Sequence, residues 1–577
     1  MRFSFRLRLL CGVLACCGAI ALATADREAA AVDGPKDHAA VPTILVGYVS
    51  DEKYVALPNV LLEFQRDGRD GKRLSVEAKS RATGAVYAAV EPGQWRVTLQ
   101  HPGFGAKSVT MTVDAAKPHH FRLMSDTLLG YVWPKWLKAG EKGEFRVHSP
   151  EMYKLELWRY GWKKELVRSI GWFDEHGPRA TVQITPDGDY TRTGVEWNKQ
   201  GYNNNPVHGQ FQAAPEKSGL YYFHARTKTG RFFSFPWIVS PAKPTAKIAV
   251  IAANINWNCY NSFGGRSNYI NCVELPEKPI VNSRQDLNRY TDAEYVFYDR
   301  DDYAPLSFDR PEPFNHVDEA EQITDPIEGR QACHLAPAEW RLYGWLDREE
   351  IDFDLYAETQ LHDGTLSLAD YKLVIIHTHP EYWSKKMYAT LKSWVFEQGG
   401  KLMYLGGNGL NCEVEFPTAT SIIVRNGDKR KQQLAGRESR MHDRFESEAN
   451  LLGVVYTDAG AMTGAPYKTI DAEHWAFTGT GLKKDDLFGL KSLHMRCPGG
   501  ASGHETDKIS PSSPKNIHRI AVGQNRDNGG ADMIYFDTPS GGAVFSSGSI
   551  NYVSSLPVDE MISKITRNVI EKMLGPN

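Results

Sequence analysis

An uninterrupted apolar run, Ile248-Ala249-Val250-Ile251-Ala252, follows the Pro-containing segment Ser240-Pro241-Ala242-Lys243-Pro244-Thr245. A strand without polar alternation has both faces buried, which is the condition of a parallel sheet covered by helices on its two sides. The same grammar recurs downstream. Residues 371–376 and 401–405 read as short buried strands. Between them, 384–398 places Met387, Leu391, Trp394 and Val395 at helical spacing and stops at Gly399-Gly400. Residues 340–349 predict a helix, 351–355 and 542–546 strands, and 558–574 a closing helix. Alternation of this kind predicts a doubly wound α/β domain over residues 244–577.

Upstream the period changes to two. Residues 43–49, 60–64, 95–99 and 108–113 alternate apolar and polar side chains between Gly- and Asp-containing turns. This predicts a small β-sandwich over 41–126. Its Pro92-Gly93-Gln94-Trp95 turn and the strand after it resemble transthyretin-like and carboxypeptidase-regulatory modules. Further strands at 143–148, 154–160 and 219–225 predict a second sandwich over 127–243. The expected fold class is therefore multidomain, two N-terminal β-sandwiches followed by the α/β domain. The aromatic density of the second sandwich serves core packing first, with glycan binding as the alternative.

At the N-terminus, Arg2, Arg6 and Arg8 precede an apolar run from Leu9 to Leu22, and Ala23-Thr24-Ala25 supplies small residues for a peptidase. The pattern predicts a signal peptide over 1–25, a leader over 26–40, and export to the periplasm or the extracellular space. Val13-Leu14-Ala15-Cys16 offers a lipoprotein site, ranked lower because it leaves so short an apolar core. After signal removal no segment is apolar enough to be transmembrane. A formal net charge of −3 gives no reason to expect nucleic acid as a partner. The cysteines beyond the signal (Cys259, Cys272, Cys333, Cys412 and Cys497) lack C-x-x-C spacing, which excludes a zinc ribbon and leaves a Cys259–Cys272 disulfide open.

Ligands of such a sheet gather at the carboxyl ends of its strands. One loop there carries Trp257, Tyr260, Asn261 and Arg266, amides and aromatics suited to a small polar substrate, although Asn-rich loops also bond to themselves. A second, His377-Thr378-His379-Pro380-Glu381-Tyr382-Trp383, packs acid–base and metal-ligating groups into one strand exit. A third, Gly406-Gly407-Asn408-Gly409, permits close backbone approach. His504 and Glu505, being adjacent, point apart on a strand and read alone as a salt-bridged surface loop. Cys412 has no base beside it, and no nucleophile stands between two glycines, which weighs against thiol catalysis.

Together these segments resemble the large subunit family of N,N-dimethylformamidase. The resemblance rests on Trp-Asn-x-Tyr-Asn-x-x-Gly-Gly-Arg-Ser, His-Pro-Glu-Tyr-Trp, Tyr-Leu-Gly-Gly-Asn-Gly, Glu473-His474-Trp475, Gly503-His504-Glu505 and Phe545-Ser546-Ser547-Gly548 in that order, over about residues 245–577. It implies a class I glutamine-amidotransferase-like domain that hydrolyses the C–N bond of a small amide-like substrate. It implies ferric iron held by two tyrosinates and a glutamate, hard donors for a hard ion. By motif, Tyr382 and Glu505 are the metal ligands, His504, His379 and Glu381 the catalytic groups, and Trp257, Tyr260, Asn261, Arg266 and Asn408 the substrate contacts. One departure stands out: the family's Phe-Tyr-Trp after Gly-Gly-Asn-Gly is Leu410-Asn411-Cys412 here, so Asn411 replaces a tyrosine, and Tyr404 is the nearby substitute. A non-catalytic envelope protein binding a ligand or glycan with a degenerate metal site is the alternative. The partner state is open between a homo-oligomer and a complex with a small second subunit.

Overall fold

Apolar periodicity in the parallel strands sorts their side chains onto two faces. Ile248, Val250, Ala252, Leu373, Ile375, Met403, Leu405 and Phe545 enter one core. Their neighbours Ala249, Ile251, Val374, Ile376, Leu402, Tyr404 and Val544 enter another. Helices Ala336–Arg348 and Glu560–Leu574 cover the first face, and Lys385–Glu397 covers the second. Both cores belong to a nine-stranded sheet in the order Asp354–Ala357, Ile248–Ala252, Leu373–Thr378, Lys401–Gly406, Ala543–Ser546, Asp532–Asp537, His518–Gly523, Tyr467–Thr469, Leu487–Phe488. The computed structural model describes residues 41–68, 72–173, 185–195, 210–270, 273–281, 283–284, 289–290, 299–327 and 333–575. The signal, lipoprotein and leader segments and Cys272 lie outside the described residues.

The first five strands of that sheet run parallel. The last four are antiparallel, an extension the sequence pattern does not announce. The strand expected at 351–355 sits at Asp354–Ala357 instead. Ile351 is consumed by the end of the preceding helix, its amide bonding the Leu346 carbonyl at 2.9 Å beyond Glu350 at φ 56°. Helix Lys385–Glu397 starts where its cap predicts, the Ser384 side chain accepting from the Met387 amide at 3.2 Å.

Upstream, a four-stranded sheet (Arg73–Lys79, Leu61–Asp67, Gly93–His101, Gly105–Val113) and a three-stranded one (Ala85–Ala88, Ile44–Ser50, His119–Arg122) share a core built on Val46, Leu62, Phe64, Val97 and Phe121. A five-stranded sheet (Lys164–Phe173, Tyr153–Tyr160, Gly219–Thr227, Phe232–Ser240, Trp136–Lys138) and a three-stranded partner (Phe211–Ala213, Lys142–His148, Leu129–Trp133) share a second core around Phe145, Leu157, Phe223 and Trp237. The chain is thus mostly strand, in several sheets, with few long helices. The five-stranded sheet turns Tyr160, Leu220, Tyr222 and Ile238 toward the α/β core. It is tied there by Trp340 Nε1 donating to the Gly161 carbonyl at 2.8 Å and by Tyr222 donating to the Asn315 carbonyl at 2.9 Å. Cys259 is a free, buried thiol among the described residues, and the Cys259–Cys272 disulfide left open by the sequence involves Cys272, which lies outside them. Among the described residues no helix is long and apolar enough to cross a membrane.

Candidate functional site

Two exits of the parallel strands meet the segment that joins the short strands Ser502–Gly503 and Thr506–Lys508, and all three pass through left-handed backbone. Thr378 (φ 60°), Asn408 (φ 52°), Leu410 (φ 56°) and His504 (φ 63°) all adopt this conformation. It is costly for non-glycine residues, most of all for β-branched Thr378, and such strain concentrates where function over-determines the backbone. Gly407 is required for a different reason: a Cβ there would fall 2.2 Å from the Glu505 carbonyl oxygen. The Gly-Gly-Asn-Gly exit therefore lies directly on the Glu505 segment. That segment is not the surface loop its polarity indicates. His504 is 2% exposed and Thr506 and Asp507 are buried, because Asp507 accepts from the Asn408 amide (2.8 Å) and the Tyr404 hydroxyl (2.7 Å).

The meeting point is rich in oxygen. The Tyr269 hydroxyl stands 2.5 Å from that of Tyr382, 2.8 Å from that of Tyr260 and 3.2 Å from Glu381 Oε2. Asn268 donates to the Tyr382 hydroxyl at 2.8 Å, and Asn408 Nδ2 donates to Glu505 Oε2 at 2.9 Å. His379 Nε2 lies between the two carboxylates, 3.0 Å from Glu505 and 3.3 Å from Glu381, squarely aimed at neither. Its Nδ1 is 3.2 Å from His334 Nδ1.

The electrostatics follow from this arrangement. Burial pulls the His379 imidazole down, but Glu505 and Glu381 outweigh it and hold the ring above its ordinary value. Burial pushes Glu381 up, whereas for Glu505 it is overcome by His379 and Asn408, which keep that carboxylate low. Burial raises Tyr260, Tyr269 and Tyr382 well above an ordinary phenol. The Cys412 thiol, likewise buried, is pushed up to about 12, which leaves no thiolate for nucleophilic attack at neutral pH.

A cavity of about 480 Å³ opens above this cluster, with Tyr260, Tyr269, Glu381, Asn408, Asn411 and Glu505 at its floor. Arg440 and Arg437 lie in its wall, from the segment after helix Lys429–Leu434. Of the residues expected from sequence, Tyr260, Asn408, Glu381 and Glu505 line the cavity, and His379 lies beneath it. Tyr382 does not line it but touches Tyr269 from behind. Trp257, Asn261, Arg266 and His504 do not line it either. Trp257 Nε1 donates to Glu339 at 2.7 Å, Asn261 Nδ2 to the Pro311 carbonyl at 2.8 Å, and Arg266 to the Ala304 carbonyl at 2.8 Å. His504 faces His494 (3.0 Å) and Arg496 (3.3 Å). Gly264 and Gly265 serve packing, since a Cβ on them would fall 2.3 Å from Thr191 and Tyr54 respectively. Sequence reading passed over Tyr269 and Arg440; Tyr269 ends the same Asn-rich loop, while nothing local distinguishes Arg440.

Among the described residues no three His, Cys, Asp or Glu side chains make a metal cage by themselves. The donors that do converge are phenols and carboxylates, a set suited to a hard cation rather than to zinc.

Comparison with known proteins gives one family. The profile described as "N,N-dimethylformamidase beta subunit-like, C-terminal" matches residues 154–566. The N,N-dimethylformamidase beta subunit of Paracoccus aminophilus is 25% identical over 403 residues, 59% of this chain and 50% of the relative. That of an Alcaligenes species is 23% identical over 475 residues, 66% of this chain and 59% of the relative. The chain thus spans only about half to three fifths of the length of the curated relatives it matches. Among solved structures, a β-galactosidase from Bacillus circulans sp. alkalophilus aligns with 40% of this chain and 27% of its own at 13% identity, with a TM-score of 0.24. A likeness that weak carries no argument.

Proposed function

The chain belongs to the N,N-dimethylformamidase beta subunit-like, C-terminal family, and on that premise we propose that it hydrolyses the C–N bond of an amide-like substrate in the cavity above Glu381 and Glu505. The observation that carries this reading is the convergence of two carboxylates on one imidazole, His379, at the floor of a cavity beside three phenols. Water adds its oxygen to the acyl carbon and passes a proton to the His379–Glu381 pair, the C–N bond breaks, and the nitrogen takes a proton from Glu381 and leaves as an amine. Glu381, raised by burial and facing the cavity, is the proton donor to that nitrogen. His379 holds a proton between the carboxylates and resupplies Glu381. Asn408 fixes the rotamer of Glu505 through its 2.9 Å hydrogen bond.

The oxygen donors fit the trivalent iron that the family resemblance implies. Glu505 and Tyr382 would hold it, with Tyr269 supplying the second phenolate in place of Asn411, since Tyr269 adjoins Tyr382 and faces the cavity. Bound there, such an ion supplies polarisation of the amide carbonyl and a water of lowered pKa. Export is part of the proposal, supported by the basic and apolar N-terminal pattern. So are the division of the chain into two sandwiches (41–126 and 127–243) and an amidotransferase-like domain (244–577), and assembly with a small second subunit.

The test is amine release from a panel of amides by iron-supplemented protein, with Glu381→Gln and Glu505→Gln alongside. Losses of roughly 100-fold or more in both variants are expected for groups that move protons or hold the reacting centre. Hydrolysis unaffected by either substitution, or none by the parent protein, would refute the reading.

A further inference from the structure

The cavity is far larger than a simple dialkylamide needs, and its wall carries two guanidiniums, Arg440 and Arg437, whose donors are little used. Dimethylformamide, with five non-hydrogen atoms, fills a space of roughly five waters, about 150 Å³ at about 30 Å³ each. The cavity measures about 480 Å³, within the range of sites that enclose much larger ligands.

Each carboxylate in the lining already has its partners. Glu505 is engaged by His379 and Asn408, Glu381 by His379, the tyrosines and, more distantly, Arg440 at 3.6 Å, Glu438 by the Ser447 hydroxyl at 2.5 Å and the Ser512 amide at 3.2 Å, and Asp458 by Lys429 at 2.9 Å. The cations do not balance in the same way. The Arg440 side chain makes no hydrogen bond among the described residues, and its nearest charge is Glu381 Oε1 at 3.6 Å. Its backbone is nonetheless fixed: the adjoining Met441 amide donates to the Asn411 carbonyl at 2.8 Å, and Ser439 caps the helix it begins. Among the described residues the Arg437 side chain reaches only the His442 ring nitrogen, at 3.5 Å. A guanidinium presents a planar fork of donors that matches a carboxylate, and one held in place with those donors unused is a preformed anion acceptor.

Resting on the amide-hydrolase reading above, we propose that Arg440 and Arg437 bind an anionic group on the substrate, so that this chain takes carboxylate-bearing amides of the N-acyl amino acid kind rather than uncharged dialkylamides. Arg440 lies nearest the Glu381–Glu505 floor and takes the carboxylate, leaving the amide over those two groups. Arg437, at the exposed rim, draws the anion in and holds its second oxygen.

The experiment is isothermal titration of the purified full chain with N-formylglycine and, separately, with dimethylformamide, repeated for Arg440→Gln and Arg437→Gln. The expected result is at least tenfold tighter binding of N-formylglycine, a loss of about tenfold or more in each variant, and no change for dimethylformamide. Arg437→Gln removes an exposed side chain and leaves the cavity floor intact, so a folding defect in the other variant does not decide the matter. Equal binding of the two probes, binding of neither, or variants that bind N-formylglycine like the parent would overturn the proposal. Titration needs no turnover, so absent hydrolysis with intact carboxylate binding rejects only the hydrolase reading, whereas hydrolysis without charge preference rejects only this one.

Discussion

Glu339 offers the sharpest test of the physical account, because it is a wholly buried carboxyl whose every contact is known. It accepts from Trp257 Nε1 (2.7 Å), the Tyr343 hydroxyl (2.8 Å) and the Ala253 amide (3.3 Å). Burial nonetheless dominates these bonds and raises the group from its ordinary 4.5 to about 7. The nearby His377 gives no counter-charge, since burial pushes it down to about 3 and its Nε2 is 4.0 Å away. Between pH 4.5 and 7 the folded chain keeps a proton that the unfolded chain has released, so stability falls as pH rises through that window and is level above it. At about 1.4 kcal/mol per pH unit, the gap of about 2.5 units amounts to about 3 kcal/mol. Glu339→Gln keeps an acceptor for Trp257 and Ala253 and cannot ionise. Chemical denaturation at pH 4.5 and 8 should therefore show the variant losing about 3 kcal/mol less stability across that interval than the parent. A variant whose decline equals the parent's would refute the assignment of that pH dependence to Glu339.

Further perturbations follow from single contacts. Gly407→Ala places a methyl 2.2 Å from the Glu505 carbonyl oxygen, and it should cost about 1–3 kcal/mol and weaken binding at the cavity, read by denaturation and titration. Ser384→Ala removes the cap of helix Lys385–Glu397 and should lower stability by about 1 kcal/mol in the same denaturation assay. Asp187→Ala should cost about 3–5 kcal/mol, because Lys107, 2.5 Å away and buried, loses its counter-charge. Lys107 and His119 outweigh burial and hold Asp187 down at about 2, so its contribution is present above about pH 4 and fades as pH falls through 2, a dependence the variant should lack in acid denaturation.

How far the sequence reaches depends on whether a residue's role is set locally. The parallel strands were legible because burial on both faces leaves a continuous apolar run, as in Ile248–Ala252. Among the antiparallel strands, Tyr467–Thr469 and Leu487–Phe488 were not, since pieces so short carry too few residues to show a period. Polar residue type alone misdirects in the same way. Trp257, Asn261 and Arg266 have the chemistry of ligand contacts, yet they hold Glu339 and loop carbonyls in place. Glu381 and Asn408 could be picked out because each follows a parallel strand of the same sheet, whereas Glu505, between strands of two small separate sheets, was reached only through the family motif. Arg440 could not, for it reaches Glu381 from a helix that starts 59 positions later in the chain, from Glu381 to Arg440, with no local motif. Nor could sequence show that Tyr269, beside Tyr382, lines the same cavity as Asn411.

The central claim is that Glu505 and the tyrosines hold a hard metal ion for amide hydrolysis. Elemental analysis of the purified protein after iron-supplemented expression, read with its visible absorption spectrum, tests it most directly. Near-stoichiometric iron with a tyrosinate charge-transfer band, lost in both Glu505→Gln and Tyr269→Phe, is the predicted result. Colourless protein without iron under those conditions would contradict it.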